Sequence, residues 1–328
     1  MGAAGWSYSE ATSRNIGMVA EREQELLRGA TVGIAGVGAV GGNYLVTLAR
    51  MGVGGFVIAD PDRFEPVNLQ RQVGAFAHTL GRGKAEVMAE MVRAINPEVR
   101  IRVIPRPFGE DNADEFFRDV DVALDGIDFF QIDARRLYFR KAREKGVHAM
   151  TSAPIGHGAS LQIFDPQGMG FDEYFGIVPG MTRAQRMVAF GAGLLPPMPW
   201  SWAAGAAIGM LRGAVAPRSM PVGAVMDREH VDFENQRVPA IASAMSLAAG
   251  IVAPEVLRIV LKRGRPRCVP HASYFDSYSG EFVRTCLRRG RVTLRDRLVR
   301  WIGMRMYPGL GALHEREITA RAGAGAAC

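Results

Sequence analysis

Hydrophobic positions alternate between two rhythms over the first half of the chain. Short apolar runs at 30–38 (ATVGIAGVG), 55–60 (GFVIAD), 99–105 (VRIRVIP), 120–125 (VDVALD) and 147–153 (VHAMTSA) predict buried strands. Between them, residues 39–52, 83–95, 111–118 and 130–145 carry helical periodicity. Strands separated by helices imply right-handed crossovers, hence an α/β, doubly wound, mainly parallel sheet with helices on both faces.

The rhythm breaks at 165–237, where Gly, Pro and Met dominate and an irregular apolar insertion or lid is expected. Within it, residues 187–211 run 25 positions without a charge, long enough to span a bilayer. Pro196, Pro197 and Pro199 interrupt that run, so two short buried or interfacial pieces are expected instead of one span. Periodicity returns at 238–264 as a buried helix bent before Pro254, followed by two strands joined around Ser279 and Gly280. The expected organisation is an N-terminal helical arm (1–29), a nucleotide-binding domain (30–164), the insertion (165–237), a helix and antiparallel hairpin completing that domain (238–287), and a basic amphipathic helix with a flexible tail (288–328).

Composition narrows the class only modestly. With 48% hydrophobic and 22% charged residues, the 328-residue chain reads as an ordinary globular protein. Its formal charge of +7 favours anionic partners without selecting one. The three cysteines, Cys268, Cys286 and Cys328, form no C-x-x-C pair, so neither zinc nor a disulfide framework is expected. The N-terminal residues lack a signal-peptide pattern, and a reducing, cytoplasmic setting is expected. His148 and His157 read as surface or satisfied core groups rather than ligands.

The chemistry concentrates after the first strand. Gly36, Gly38 and Gly41 (GVGAVG) sit between a strand and a helix, where backbone N–H groups and the positive helix end can approach a phosphate. Asp60, 22 residues after Gly38, suits a carboxylate that accepts from ribose hydroxyls. Close packing of helix on sheet would also account for the glycines. The following stretch supplies Asn68, Arg71 and Lys84, the last two being cations of the kind that a transferring triphosphate needs and a dinucleotide does not. Asp125 and Asp128 then offer a carboxylate pair at the sheet edge for Mg²⁺, although Asp128 equally suits a helix cap.

These stretches resemble the ThiF/MoeB/HesA superfamily of ubiquitin-activating-enzyme-like adenylyltransferases. The similar elements are SRNI near Arg14, GVGAVG, DPDRFEPVNLQRQ, GRGK, NPEV and the closing YFDSYSGEF hairpin. The resemblance implies a Rossmann-like fold, ATP and Mg²⁺ as cofactors, Asp60 at the ribose, Asn68, Arg71 and Lys84 at the triphosphate, and Asp128 at the metal. It also implies a homodimer in which Arg14 reaches the partner subunit's ATP site. The sequence departs from the superfamily pattern at Phe129, where an Asn is usual, and in lacking both C-x-x-C pairs and any cysteine between residues 129 and 267. No covalent thioester step is therefore expected.

Two substrate classes follow from the resemblance. One is the C-terminal carboxylate of a small ubiquitin-like or sulfur-carrier protein, or of a peptide. The other is a nucleoside carboxylate on tRNA, as in the threonylcarbamoyladenosine dehydratases, for which the eight arginines of 284–305 offer a basic face. The same stretch places Val292, Leu298, Trp301 and Ile302 largely on one helical face, which predicts packing on the domain ahead of docking to a membrane surface. A non-enzymatic nucleotide-binding module ranks lower because Arg71, Lys84 and Asp128 are present, and an NAD-dependent dehydrogenase because no histidine has a hydride-transfer context.

Overall fold

The computed structural model describes residues 5–197, 203–204 and 230–325. Five parallel strands form its centre: β1 (Thr31–Ala35), β2 (Gly55–Ala59), β3 (Arg100–Ile104), β4 (Val122–Asp125) and β5 (His148–Thr151). β6 (Pro154–Ile155), β7 (Gly158–Phe164), β8 (His271–Asp276) and β9 (Glu281–Cys286) extend the sheet antiparallel. The order is β3-β2-β1-β4-β5-β7-β8-β9, with β6 paired to β7. The direction of winding reverses between β1 and β4, the place where doubly wound sheets open a cleft beyond their strand ends.

Strand side chains alternate between two cores. Val32, Ile34, Phe56, Ile58, Val122 and Leu124 point to one face, against α3 (Ala39–Arg50), α4 (Lys84–Ile95) and a long helix, α9 (Ala242–Val260). Ala35, Val57, Ala59 and Ala123 point to the other, packed by α5 (Ala113–Phe117) and α6 (Ile132–Glu144). Burial on both faces is why these strands read as continuous apolar runs. At the N-terminus, α1 (Tyr8–Ala11) and α2 (Glu21–Gly29) precede the sheet. Helix α9 runs through Pro254, and among the described helices it is the one long and apolar enough to cross a bilayer. It buries Ala248, Ala249, Val252 and Val256 in the first core, as a core helix does.

Among the described residues of 165–237 are the helices α7 (Phe171–Phe175) and α8 (Arg183–Leu194). Phe171, Tyr174, Phe175 and Phe190 join the second core. Most of the 187–211 run beyond α8, with Pro199, lies outside the described residues. The C-terminal stretch forms α10 (Leu294–Met306) and α11 (Pro308–Gly325), so the expected flexible tail is helical as far as Gly325. The apolar face of α10 is Val299, Ile302 and Met306, with Leu298 and Trp301 partly covered. Val292 precedes the helix and is exposed, correcting its expected place on that face. Packing on the domain thus accounts for the amphipathic pattern. Arg291 is buried with its guanidinium on the Gly193 and Leu195 carbonyls, and Arg300 reaches the Gly176 carbonyl at 3.0 Å.

Candidate functional site

The loop after β1 is shaped by glycine. Gly36 has φ +80°, and a Cβ there would land on the Gly126 carbonyl; one at Gly41 would land on the Gly36 carbonyl. Both glycines are therefore required by backbone packing within the chain itself. Gly38 differs: a Cβ there would meet only the Gln72 side chain, at 3.5 Å. It is the N-cap of α3, and no side chain caps that helix end. The N–H groups of its first turn are thus left for another acceptor.

Asp60 directly follows β2 and is buried. Its Oδ2 accepts from the Val37 N–H at 2.8 Å and its Oδ1 from the Asp62 N–H at 2.9 Å, which ties the glycine loop to the neighbouring strand. Burial raises the Asp60 carboxyl pKa, opposed by those two N–H groups and by the charge of Lys84. Each oxygen keeps a further lone pair for a hydroxyl donor.

Lys84 opens α4, nearly buried, with its Nζ 2.9 Å from Asp62 Oδ2. The Pro66–Asn68 turn between them is closed by Asn68, whose Oδ1 accepts from the Glu65 N–H at 2.9 Å. That turn carries Arg71, whose Nη1 donates to the Val67 carbonyl at 2.8 Å. Burial lowers the Arg71 pKa, and the charge of Asp128 across the cleft acts in the opposite direction. Among the described residues no carboxylate lies within ion-pair distance of Arg71. Next to it Gln72 is buried beside Gly38, and its Oε1 has no hydrogen-bond partner.

The two aspartates at the end of β4 and in the loop after it part company. Asp125 is buried; its Oδ2 accepts from Arg135 Nε at 2.7 Å and its Oδ1 from the Ile127 N–H at 3.0 Å. Asp125 is consequently committed inside the fold, which corrects its expected place in a metal-binding pair. Asp128 is exposed, with Oδ1 accepting from the Phe130 N–H at 2.8 Å, so the cap-like turn exists on an exposed carboxylate. The loop between them rests on aromatic side chains. Phe129 sits 5.9 Å from the Phe190 ring and 6.4 Å from Phe233, while the Arg135 guanidinium lies 4.4 Å over Phe190. Where the superfamily has an amide, this chain substitutes an apolar anchor to α8.

Gly38, Asp60, Arg71, Lys84 and Asp128 thus converge at the strand ends around the β1/β4 reversal. Arg14 does not join them. It is exposed in the Ser13–Asn15 turn, whose Asn15 donates to the Met51 carbonyl at the far end of α3. A helix of that length separates it from the glycine loop by about 18 Å.

This arrangement matches one family across most of the chain: the ThiF family pattern covers residues 12–293. The chain belongs to the ThiF family. Among curated relatives, the tRNA threonylcarbamoyladenosine dehydratase of Haemophilus influenzae is 33% identical over 122 residues, 37% of this chain and 47% of that protein. The probable adenylyltransferase/sulfurtransferase MoeZ of Mycobacterium tuberculosis is 38% identical over 107 residues, 33% of this chain and 27% of that one. The chain thus spans about half or less of these relatives' lengths. The crystal structure of E. coli MccB with ATP shares the fold at TM-score 0.54 and 17% identity, over 83% of this chain and 68% of that one.

Sequence reasoning for a ThiF-family member found the cleft's cations but missed Gln72 and Arg135. Gln72 lay inside the quoted NLQRQ block. Arg135 became recognisable only once β4 and α6 were in place.

Burial, with Asp165 and Glu255 nearby, pushes the Cys268 thiol up to about 12. A thiol so poorly ionised is a weak nucleophile at neutral pH.

Proposed function

We propose that this ThiF-family chain is an ATP-dependent adenylyltransferase that activates a carboxylate, either the C-terminus of a ubiquitin-like or sulfur-carrier protein or that of a peptide. The observation that carries this reading is Arg71, a half-buried guanidinium at the cleft with no carboxylate partner among the described residues. A cation held partly out of water with no ion pair among the described residues suits an anionic ligand, and the open N-terminus of α3 lies on the same edge.

In this reading Asp60 accepts from the ribose, and the first turn of α3 and Arg71 hold phosphate oxygens. Lys84, oriented by Asp62, adds a second cation. A carboxylate oxygen of the substrate attacks the α-phosphorus, the bond to the β-phosphate oxygen breaks, and pyrophosphate leaves with the bonding electron pair. Mg²⁺ at Asp128 would neutralise phosphate charge. The MccB structure solved with ATP, and relatives named as adenylyltransferases, support the nucleotide and the reaction class. The two subunits of a homodimer would share each site through Arg14.

A second reading, adenylation on tRNA, has the threonylcarbamoyladenosine dehydratases among its relatives. It loses part of its basic footprint, because Arg291 and Arg300 turn inward onto backbone carbonyls. Pyrophosphate exchange with candidate carboxylates tests the first reading. Arg71→Ala should lower exchange about 10²–10³-fold, the usual cost of removing one preorganised charge from a transition state. Exchange that persists unchanged in that variant removes Arg71 from the mechanism.

A further inference from the structure

The sheet edge remote from the nucleotide cleft carries a cluster that adenylation does not use. His148 opens β5, whereas the cleft lies beyond the other end of that strand, past Thr151. Asp165 directly follows β7, and the Ala149–Phe164 pairing sets it beside His148. Cys268 precedes β8, held there by the Val269 N–H, which donates to the Ile163 carbonyl at 2.7 Å. One nitrogen, one oxygen and one sulfur from these residues lie within 4.8 Å of one another.

The geometry between the groups is informative. Asp165 Oδ1 accepts from the Gln167 N–H at 2.8 Å, which fixes the carboxylate and leaves Oδ2 toward His148. Nε2 of His148 and that Oδ2 stand 3.7 Å apart, too far for a hydrogen bond. Two ligands on one tetrahedral ion, with bonds of about 2.0–2.1 Å, stand roughly 3.3 Å apart, so a small inward shift closes the gap. All three residues are only partly covered, leaving a path for an ion. Glu255 on α9 also faces Cys268, but Arg258 Nε engages it at 2.9 Å.

We propose that His148, Asp165 and Cys268 form a binding site for a zinc-type divalent cation, with three protein ligands and an open fourth position. Sulfur, imidazole and carboxylate together favour Zn²⁺ over the hard, oxygen-seeking Mg²⁺ and Ca²⁺. The site joins β5, the turn after β7 and the segment entering β8, and so clasps the antiparallel extension to the parallel half. This assignment reverses the reading of His148 as a non-ligand and of a chain without zinc chemistry. It stands independently of the adenylation proposal.

The test uses the full chain, stripped with a chelator and titrated with Zn²⁺ alone and with Co²⁺ alone. One Zn²⁺ per chain is expected, and Co²⁺ should produce a thiolate-to-metal charge-transfer absorption. His148→Ala and Asp165→Ala should each weaken Zn²⁺ binding about tenfold or more, while Cys268→Ser abolishes the absorption. Cys286→Ser should leave both unchanged. Bound Zn²⁺ should also raise the melting temperature of the native chain but not that of the triple variant. A native chain with no cobalt–thiolate absorption overturns the proposal whether or not the variants fold. Zinc binding that the triple variant retains overturns it as well.

Discussion

Arg135 and Asp125 form a buried ion pair, Nε to Oδ2 at 2.7 Å, at the foot of the loop that carries Asp128. The same guanidinium donates to the Ile127 carbonyl and stacks on Phe190, so one side chain joins the end of β4, its loop and α8. Its Nη1 has no hydrogen-bond partner, which leaves part of the cation unsatisfied inside the fold.

Removing one partner should therefore be costly. Arg135→Met leaves Asp125 buried without its cation, and about 3–5 kcal/mol of stability should be lost, the typical cost of breaking a buried pair. Urea unfolding measures this, and Arg135→Met with Asp125→Leu should recover part of the loss. A single variant as stable as the native chain would show that the pair contributes nothing to the fold.

The glycine loop separates architecture from ligand binding. Gly36→Ala and Gly41→Ala place a methyl group on a backbone carbonyl that cannot move aside, and Gly36 also has φ +80°. Both should destabilise the fold by several kcal/mol, about 3 or more. Gly38→Ala has the end of the Gln72 side chain as its nearest neighbour, so its cost is that of the backbone conformation there, φ −74° and ψ −120°, and should be smaller than at Gly36 or Gly41. A rise in the ATP dissociation constant of folded Gly38→Ala would then report crowding of a phosphate. Unchanged ATP affinity there would mean that the phosphate does not approach Gly38.

Glu23 and Arg263 tie α2 to the segment after α9, with Arg263 Nε 2.7 Å from Glu23 Oε1. The Arg263 hydrogen bond, then the Ala20 N–H, lowers the Glu23 pKa from 4.5 to about 2. Between those values the unfolded chain binds more protons than the folded one, so stability falls as pH falls through that window. Above pH 4.5 the contribution is complete. Arg263→Gln should abolish most of the shift in a carboxyl-carbon NMR titration of Glu23. A Glu23 that titrates near 4.5 in the native chain would refute the pairing.

The parallel half of the fold was legible because its strands are buried on both faces. Runs such as Phe56–Ala59 are apolar throughout, and glycine marks the turn that follows β1. Strand β7 was not legible, since buried Ser160 and Gln162 interrupt its apolar pattern. Helix α8 was hidden for a different reason: Gly191 and Gly193 lower its propensity, and it is held by tertiary packing through Met187, Phe190 and Leu194. In the cleft, Asp60, Arg71, Lys84 and Asp128 followed from residue type and order. The fate of Asp125 depended on Arg135, ten positions away and on another element, which spacing alone does not reveal.

Arg14 supplies the last prediction, which concerns assembly. It is exposed and far from its own glycine loop, so any role at a nucleotide site requires a second copy of the chain. Arg14→Ala and Arg71→Ala should each be inactive alone if each site takes Arg71 from one subunit and Arg14 from the other. Unfolding and refolding the two variants together lets subunits exchange. Half the random dimers are then mixed, each with one intact site of two, so about a quarter of native pyrophosphate exchange should return. No recovery in a mixture shown by native mass spectrometry to contain mixed dimers would confine Arg14 to a role within its own chain.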